Sequence, residues 1–98
     1  MEKIFPTILS ITGSDGTGGA GIQADVQTIS ALGGKALTAL TCLSMQSAAD
    51  GFALYDVPTD LIVAQVQSLL ATFHPSAAKI GLVRDADAIR ALRYELAG

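Results

Sequence analysis

Hydrophobic and polar positions follow two different periods along this chain, and the switches between them mark its elements. From Thr7 to Thr12 a run rich in β-branched residues (TILSIT) carries no charge and is stopped by Gly13, as expected for a strand covered on both faces. The glycine-dense stretch GSDGTGGAG follows. Beyond it Ile22, Val26, Ile29 and Leu32 recur at helical spacing, which predicts a helix starting near Ala20 and ending at the Gly33-Gly34 pair. Residues 35–46 (KALTALTCLSMQ) divide into two alternating sets, neither strongly charged, and fit a buried parallel strand. Asp50-Gly51 is a turn signal and FALYDV after it is strand-like, so residues 47–57 read as a small excursion from the main sheet. Pro58, Thr59 and Asp60 open a helix with Ile62, Val66, Leu69, Leu70 and Phe73 on one face, closed by His74-Pro75. A brief strand over 78–83 (AKIGLV) leads to Asp85 and Asp87 at a helix start, with Ile89, Leu92 and Leu96 as the expected buried stripe.

Strand and helix alternate throughout, which calls for a three-layer αβα sandwich with a mostly parallel sheet. Ligands of such sheets bind outside the carboxyl ends of the strands, so the segments to watch are Gly13 to Gly21, Gln46 onward and Gly81 onward. About three strand-helix units up to Gly98 are fewer than a typical sheet needs, and the bare edge would be covered by continuing chain or a partner. Residues 1–98 are therefore expected to form one part of a single domain.

Composition narrows the function classes. Half of the residues are hydrophobic and 15% charged, enough for a packed core, and the net charge of −3 offers no basic field for nucleic acid or an anionic membrane. The apolar run between Pro6 and Gly13 is too short for a signal-peptide core or a membrane span, and a cytoplasmic protein is expected. Cys42, the single cysteine, rules out an internal disulfide framework and a cysteine-ligated zinc site.

Several residues are candidates for chemistry. The loop from Gly13 to Gly21 holds glycine at positions 13, 16, 18, 19 and 21, so backbone can approach a ligand closely, and the helix start adds positive potential. It matches neither the GxGxxG fingerprint nor a P-loop, and a plain strand-to-helix turn is the alternative. Asp25 falls in angle between Ile29 and Leu32 on the apolar face of its helix, where a carboxylate needs a partner. A ligand amine is one partner; stabilisation by the helix dipole is the other reading. Gln46 ends the second strand, where its amide suits a heterocycle edge or a loop cap equally. Lys79 could reach a phosphate or carboxylate, snorkel, or pair with a buried acid. His74 reads as a helix-end residue and Cys42 as core. No nucleophile triad or metal cluster is suggested.

The segment ITGSDGTGGAGIQADVQTISALGG is similar to the amino-terminal signature of the hydroxymethylpyrimidine and phosphomethylpyrimidine kinases of thiamine biosynthesis, and the likeness continues through TALTCLSMQ, DLIVAQVQSLL and AAKIGLV. The resemblance implies a ribokinase-like fold and ATP-dependent phosphorylation, with Mg2+, of 4-amino-5-hydroxymethyl-2-methylpyrimidine and then of its monophosphate. It implies hydrogen bonds from Asp25 and Gln46 to the aminopyrimidine, Gly13 and Ala20 against the ring, Leu82 packed beside it, and Gly18-Gly19 near the transferring phosphate. Three positions depart from the family pattern: Gln27 for lysine, Ser47-Ala48 for an asparagine-threonine pair and Leu82 for methionine. The family's catalytic residue and most of its ATP site belong to a carboxyl-terminal part, so the catalytic residue is expected beyond Gly98, none is expected within these 98 residues, and the chain alone is expected to lack turnover. Related kinases often pair, which makes a homodimer compatible. A pyridoxal-type kinase of the same fold and a non-catalytic pyrimidine-binding module are the competing readings.

Overall fold

The computed structural model describes residues 5–47 and 51–97. In chain order its elements are β1 (Thr7–Asp15), α1 (Gly21–Ala31), β2 (Lys35–Ser47), β3 (Gly51–Asp56), α2 (Thr59–Leu70), β4 (Ala77–Ile80) and α3 (Ala86–Ala97). They form a four-stranded sheet in the order β3-β2-β1-β4, with β1 parallel to both β2 and β4 and β3 antiparallel to β2.

Strand alternation in β1 divides the molecule into layers. Leu9 and Ile11 point to one face, where they meet Leu37 and Ala39 of β2, Ile62 and Val66 of α2, and Ala88 and Leu92 of α3. Leu9, Ile11, Val66 and Leu92 are fully buried, each contributing about 1.5–3 kcal/mol by leaving water. Ser10 points to the opposite face and bonds to Asp25 of α1. One helix thus covers one face and two cover the other, giving the three-layer sandwich that strand-helix alternation implies.

Helix α1 closes where its glycines permit. Gly33 adopts φ +88°, its amide donates to the Ser30 carbonyl, and the Gly34 amide donates to the Ile29 carbonyl at 2.9 Å, which together satisfy the last carbonyls of the helix. Leu32, expected in the buried stripe, instead forms the C-cap and is 82% exposed, because the chain must turn there to start β2. The stripe of α3 is also displaced from expectation. Ala88 and Leu92 are buried while Ile89 is half exposed. Strand β4 stops at Ile80, three residues earlier than the apolar run suggests, and β1 continues past Gly13 to Asp15.

β3 pairs with Cys42 to Ser47, so among the described residues the first half of β2 lies on a sheet edge. Gln65 of α2 closes part of that gap: its amide nitrogen donates to the Leu40 carbonyl at 2.9 Å and its oxygen accepts from the Leu40 amide at 2.8 Å. A side-chain amide thereby does what a neighbouring strand would do. Gln65→Leu is expected to lower stability by about 1–2 kcal/mol in chemical denaturation, because both Leu40 groups lose their partner; an unchanged midpoint would show that water replaces it freely.

Candidate functional site

The carboxyl ends of β1 and β2 do not run evenly. Thr12 pairs with Leu40 but Ser14 pairs with Leu43, so β2 accommodates one extra residue opposite Gly13. This irregularity brings Cys42 against Gly13 so closely that a Cβ there would lie 2.7 Å from the Cys42 sulfur. A side chain at position 13 would fill the space, so the glycine is what allows the strand ends to open a cleft.

That cleft holds about 480 Å³ and sits beyond the carboxyl ends of β1 and β2, where the alternating topology predicts a ligand site. Its floor comes from Gly13 and Cys42, one wall from Ala20 and Gly21 at the start of α1, another from Leu82 beyond β4, and the outer side from Phe52 and Leu54 of β3. The hydroxyl groups of Thr12, Ser14, Thr17 and Ser44 line it as well, and all four are already committed. Ser44 donates to the Ser14 carbonyl at 2.6 Å, and the Ser14 hydroxyl accepts from the Gln23 amide nitrogen at 2.6 Å. The Gln23 oxygen in turn accepts from the Asp15 amide at 2.8 Å, which ties the first turn of α1 to the glycine loop.

Asp15 organises the loop itself. Its carboxylate accepts from the Thr17 amide at 3.0 Å and the Thr17 hydroxyl at 2.9 Å, and these bonds, the backbone one foremost, hold its pKa below the ordinary carboxylate value. Gly18 takes φ +78°, its amide donating to the Asp15 carbonyl at 3.0 Å, while the Gly19 amide donates to the Thr17 hydroxyl at 3.2 Å. The Gly18 and Gly19 amides are therefore used inside the loop.

Of the residues singled out by sequence, Gly13, Ala20 and Leu82 meet in the cleft. Gly18 and Gly19 lie outside its lining. The backbone of Gln46 pairs with Phe52, a lining residue, but its side chain and that of Ser47 lie outside the described residues, as do Ala48 and Asp50. Gly98, beyond which the catalytic residue is expected, lies outside the described residues too, so that expectation stays one drawn from family resemblance. Asp25 turns inward, as its helical phase requires, yet it does not line the cleft. One carboxylate oxygen accepts from the Ser10 hydroxyl at 2.7 Å and the other from the Lys79 ammonium at 2.6 Å. Ser10 precedes Gly13 by three strand residues, about 10 Å. Asp25 has these two partners because β4 lies beside β1 in a register that sets Lys79 next to Ser10. Burial raises the Asp25 pKa, but the Lys79 and Ser10 hydrogen bonds outweigh it and the net direction is down.

Sequence reasoning missed Gln23, Ser44, Phe52 and Leu54 as site residues and took Cys42 for core alone. Only the position of Ser44 at a strand end carried a signal; the others depend on the strand irregularity and on how the β2–β3 hairpin folds over.

The sequence profile of the phosphomethylpyrimidine kinases matches residues 15–97. The chain belongs to that family. It is 35% identical over 96 residues to the hydroxymethylpyrimidine/phosphomethylpyrimidine kinase of Escherichia coli, covering 98% of this chain and 35% of the relative, and 38% identical over 78 residues to that of Mycobacterium tuberculosis, covering 80% and 28%. Among solved structures it superimposes on the phosphomethylpyrimidine kinase of Clostridium difficile with a TM-score of 0.84 at 35% identity, covering 94% of this chain and 40% of the other. The pyridoxal kinase of Staphylococcus aureus, in complex with an ATP analogue and pyridoxal, gives 0.88 at 26% identity, with coverage of 96% and 35%. The fold of this family member is thus ribokinase-like, and the chain spans about a third of the length of the curated relatives it matches. No helix among the described residues is long and apolar enough to cross a membrane.

Proposed function

We propose that these residues form the heterocycle-binding part of a cytoplasmic, ATP-dependent kinase acting on 4-amino-5-hydroxymethyl-2-methylpyrimidine and its monophosphate. One observation carries the reading: Gly13 and Ala20 of the glycine loop and Leu82 from beyond β4, in a phosphomethylpyrimidine kinase family chain, converge on a single cleft of small-ligand size. In this reading the planar ring lies over the bare backbone of Gly13, flanked by Ala20 and Leu82, with the hydroxymethyl group directed along the glycine loop. Gln46 reaches the ring edge from the end of β2. Gly18 and Gly19 shape the loop on the phosphate side. Asp25 acts on the site by anchoring α1 to β1 and β4, as its bonds to Ser10 and Lys79 suggest.

ATP is the phosphoryl donor in this proposal, in keeping with the family and with the nucleotide complexes of the pyridoxal kinase neighbours. Mg2+ accompanies ATP in this proposal; among the described residues no three His, Cys, Asp or Glu side chains gather to hold a metal ion. Phosphoryl transfer depends on charge stabilisation around the transferring group, and the chain spans only about a third of its relatives. The 98 residues are therefore proposed to bind the pyrimidine without turning it over, the catalytic residue being assigned to family sequence that corresponds to positions beyond Gly98.

Likeness to the pyridoxal kinases supports a second reading in which the same cleft takes a pyridine alcohol. Calorimetric titration with both alcohols separates the two. Tighter binding of the aminopyrimidine is expected, and a clear preference for pyridoxal would replace the first reading with the second. Phosphate transfer from ATP to either alcohol by this chain would overturn the proposal that it binds without turnover.

A further inference from the structure

Leu82 follows a short strand and has no regular element of its own to hold it, yet both backbone groups of the residue are bound. Its amide donates to the Thr12 hydroxyl oxygen at 3.0 Å, and its carbonyl accepts from the Thr41 hydroxyl at 2.6 Å. The two threonines come from adjacent strands and are almost completely buried, 4% and 3% exposed. Just before it, the Gly81 amide completes the ladder by donating to the Ile11 carbonyl at 2.8 Å. Gly81 also lies so close to Thr12 that an added Cβ would overlap the hydroxyl and sit 2.7 Å from the Thr12 Cβ. The chain leaving β4 is therefore drawn over the end of β1 toward β2, and the Leu82 side chain is left 47% exposed as a wall of the cleft. A buried polar side chain needs a reason to be buried, and for these two it is the same residue.

We infer that Thr12 and Thr41 are positioning residues for the substrate, their hydroxyls clamping the backbone of Leu82 so that its side chain forms a fixed wall for the ring. This rests on the proposed pyrimidine reading for its functional part, while the clamp itself is readable without any ligand. Thr12 also lines the cleft, whereas Thr41 faces the α2 and α3 side and lies outside the lining, so Thr41 gives the cleaner test.

Two measurements on this chain decide the matter. In the first, amide hydrogen exchange at Leu82 is followed by NMR; Thr12→Val, which removes its acceptor, is expected to speed exchange about tenfold, and Thr12→Ser to restore protection. Unchanged exchange in Thr12→Val would overturn the clamp. In the second, the dissociation constant for 4-amino-5-hydroxymethyl-2-methylpyrimidine is measured by calorimetry. Thr41→Val is expected to weaken binding about fivefold to tenfold, with Thr41→Ser close to wild type. Because Thr41 works through Leu82, Leu82→Ala should produce its own loss, and adding Thr41→Val to it should produce almost none further. Fully additive losses, or wild-type affinity in Thr41→Val, would sink the positioning role. Absence of binding by the wild-type chain would instead defeat the substrate reading, and the exchange data would still judge the clamp.

Discussion

Gly21→Ala is expected to lower stability by about 2–5 kcal/mol, a large share of what a domain of this size holds. Two causes add. Gly21 has φ +67°, a conformation that a residue with a Cβ adopts only at a cost. An added Cβ would also overlap the Gly13 carbonyl oxygen and lie 3.2 Å from the Asp15 amide nitrogen. These are backbone atoms of the cleft floor, and they cannot swing aside as a flexible side chain would. Ser14 bridges to Gly21 at the same place, so relief by backbone movement would spread into the glycine loop and the start of α1. Gly16→Ala is the matched control, since nothing lies within 4 Å of its added Cβ, and it should change stability by no more than about 0.5 kcal/mol. Urea denaturation of the two variants makes the comparison. Similar midpoints would mean that the loop tolerates a side chain at either place.

Asp25→Ala is expected to cost about 3 kcal/mol and to change how stability depends on pH. The aspartate side chain is 13% exposed and is bound on both oxygens, so its loss leaves the buried Ser10 hydroxyl without its partner and α1 without its tie to β4. Lys79→Met should cost less than about 1 kcal/mol, because the lysine is 60% exposed and water already screens its charge. The folded-state pKa of Asp25 lies below its ordinary value of 3.8. A depressed carboxylate pKa contributes stability that is present above that value and disappears as pH falls through the folded pKa. Wild-type protein should therefore lose stability below about pH 4 more steeply than Asp25→Asn, which has no proton to take up at this site. Parallel acid limbs for the two proteins would remove Asp25 from the acid response.

The pair also explains why α1 is where it is. Its apolar contribution is modest, with Ile29 its only buried residue among those described, and a charge-assisted contact through Asp25 supplements that packing. The same helix supplies Gln23 to the glycine loop and Gly21 to the cleft, so a displacement of α1 would move two parts of the site together. In the proposed reading Asp25 thus bears on ligand binding through the position of α1.

Much of this molecule could be read directly from residue order. Periodicity distinguished strands from helices because a covered strand and a half-covered helix bury different positions, and the Gly33-Gly34 pair marked the end of α1 because only glycine readily takes the left-handed turn there. The glycine loop announced a close backbone approach, and the inward turn of Asp25 followed from helical phase alone. What answered that carboxylate did not. Lys79 lies 54 positions away in sequence and becomes a neighbour only through the parallel pairing of β4 with β1. The cleft itself depends on one extra residue in β2 opposite Gly13, and its outer wall on a hairpin folding back over β2. Strand register and side-chain partners separated by dozens of residues are settled by packing the whole sheet at once, so local sequence determined the elements and only the tertiary structure decided which of their polar groups meet.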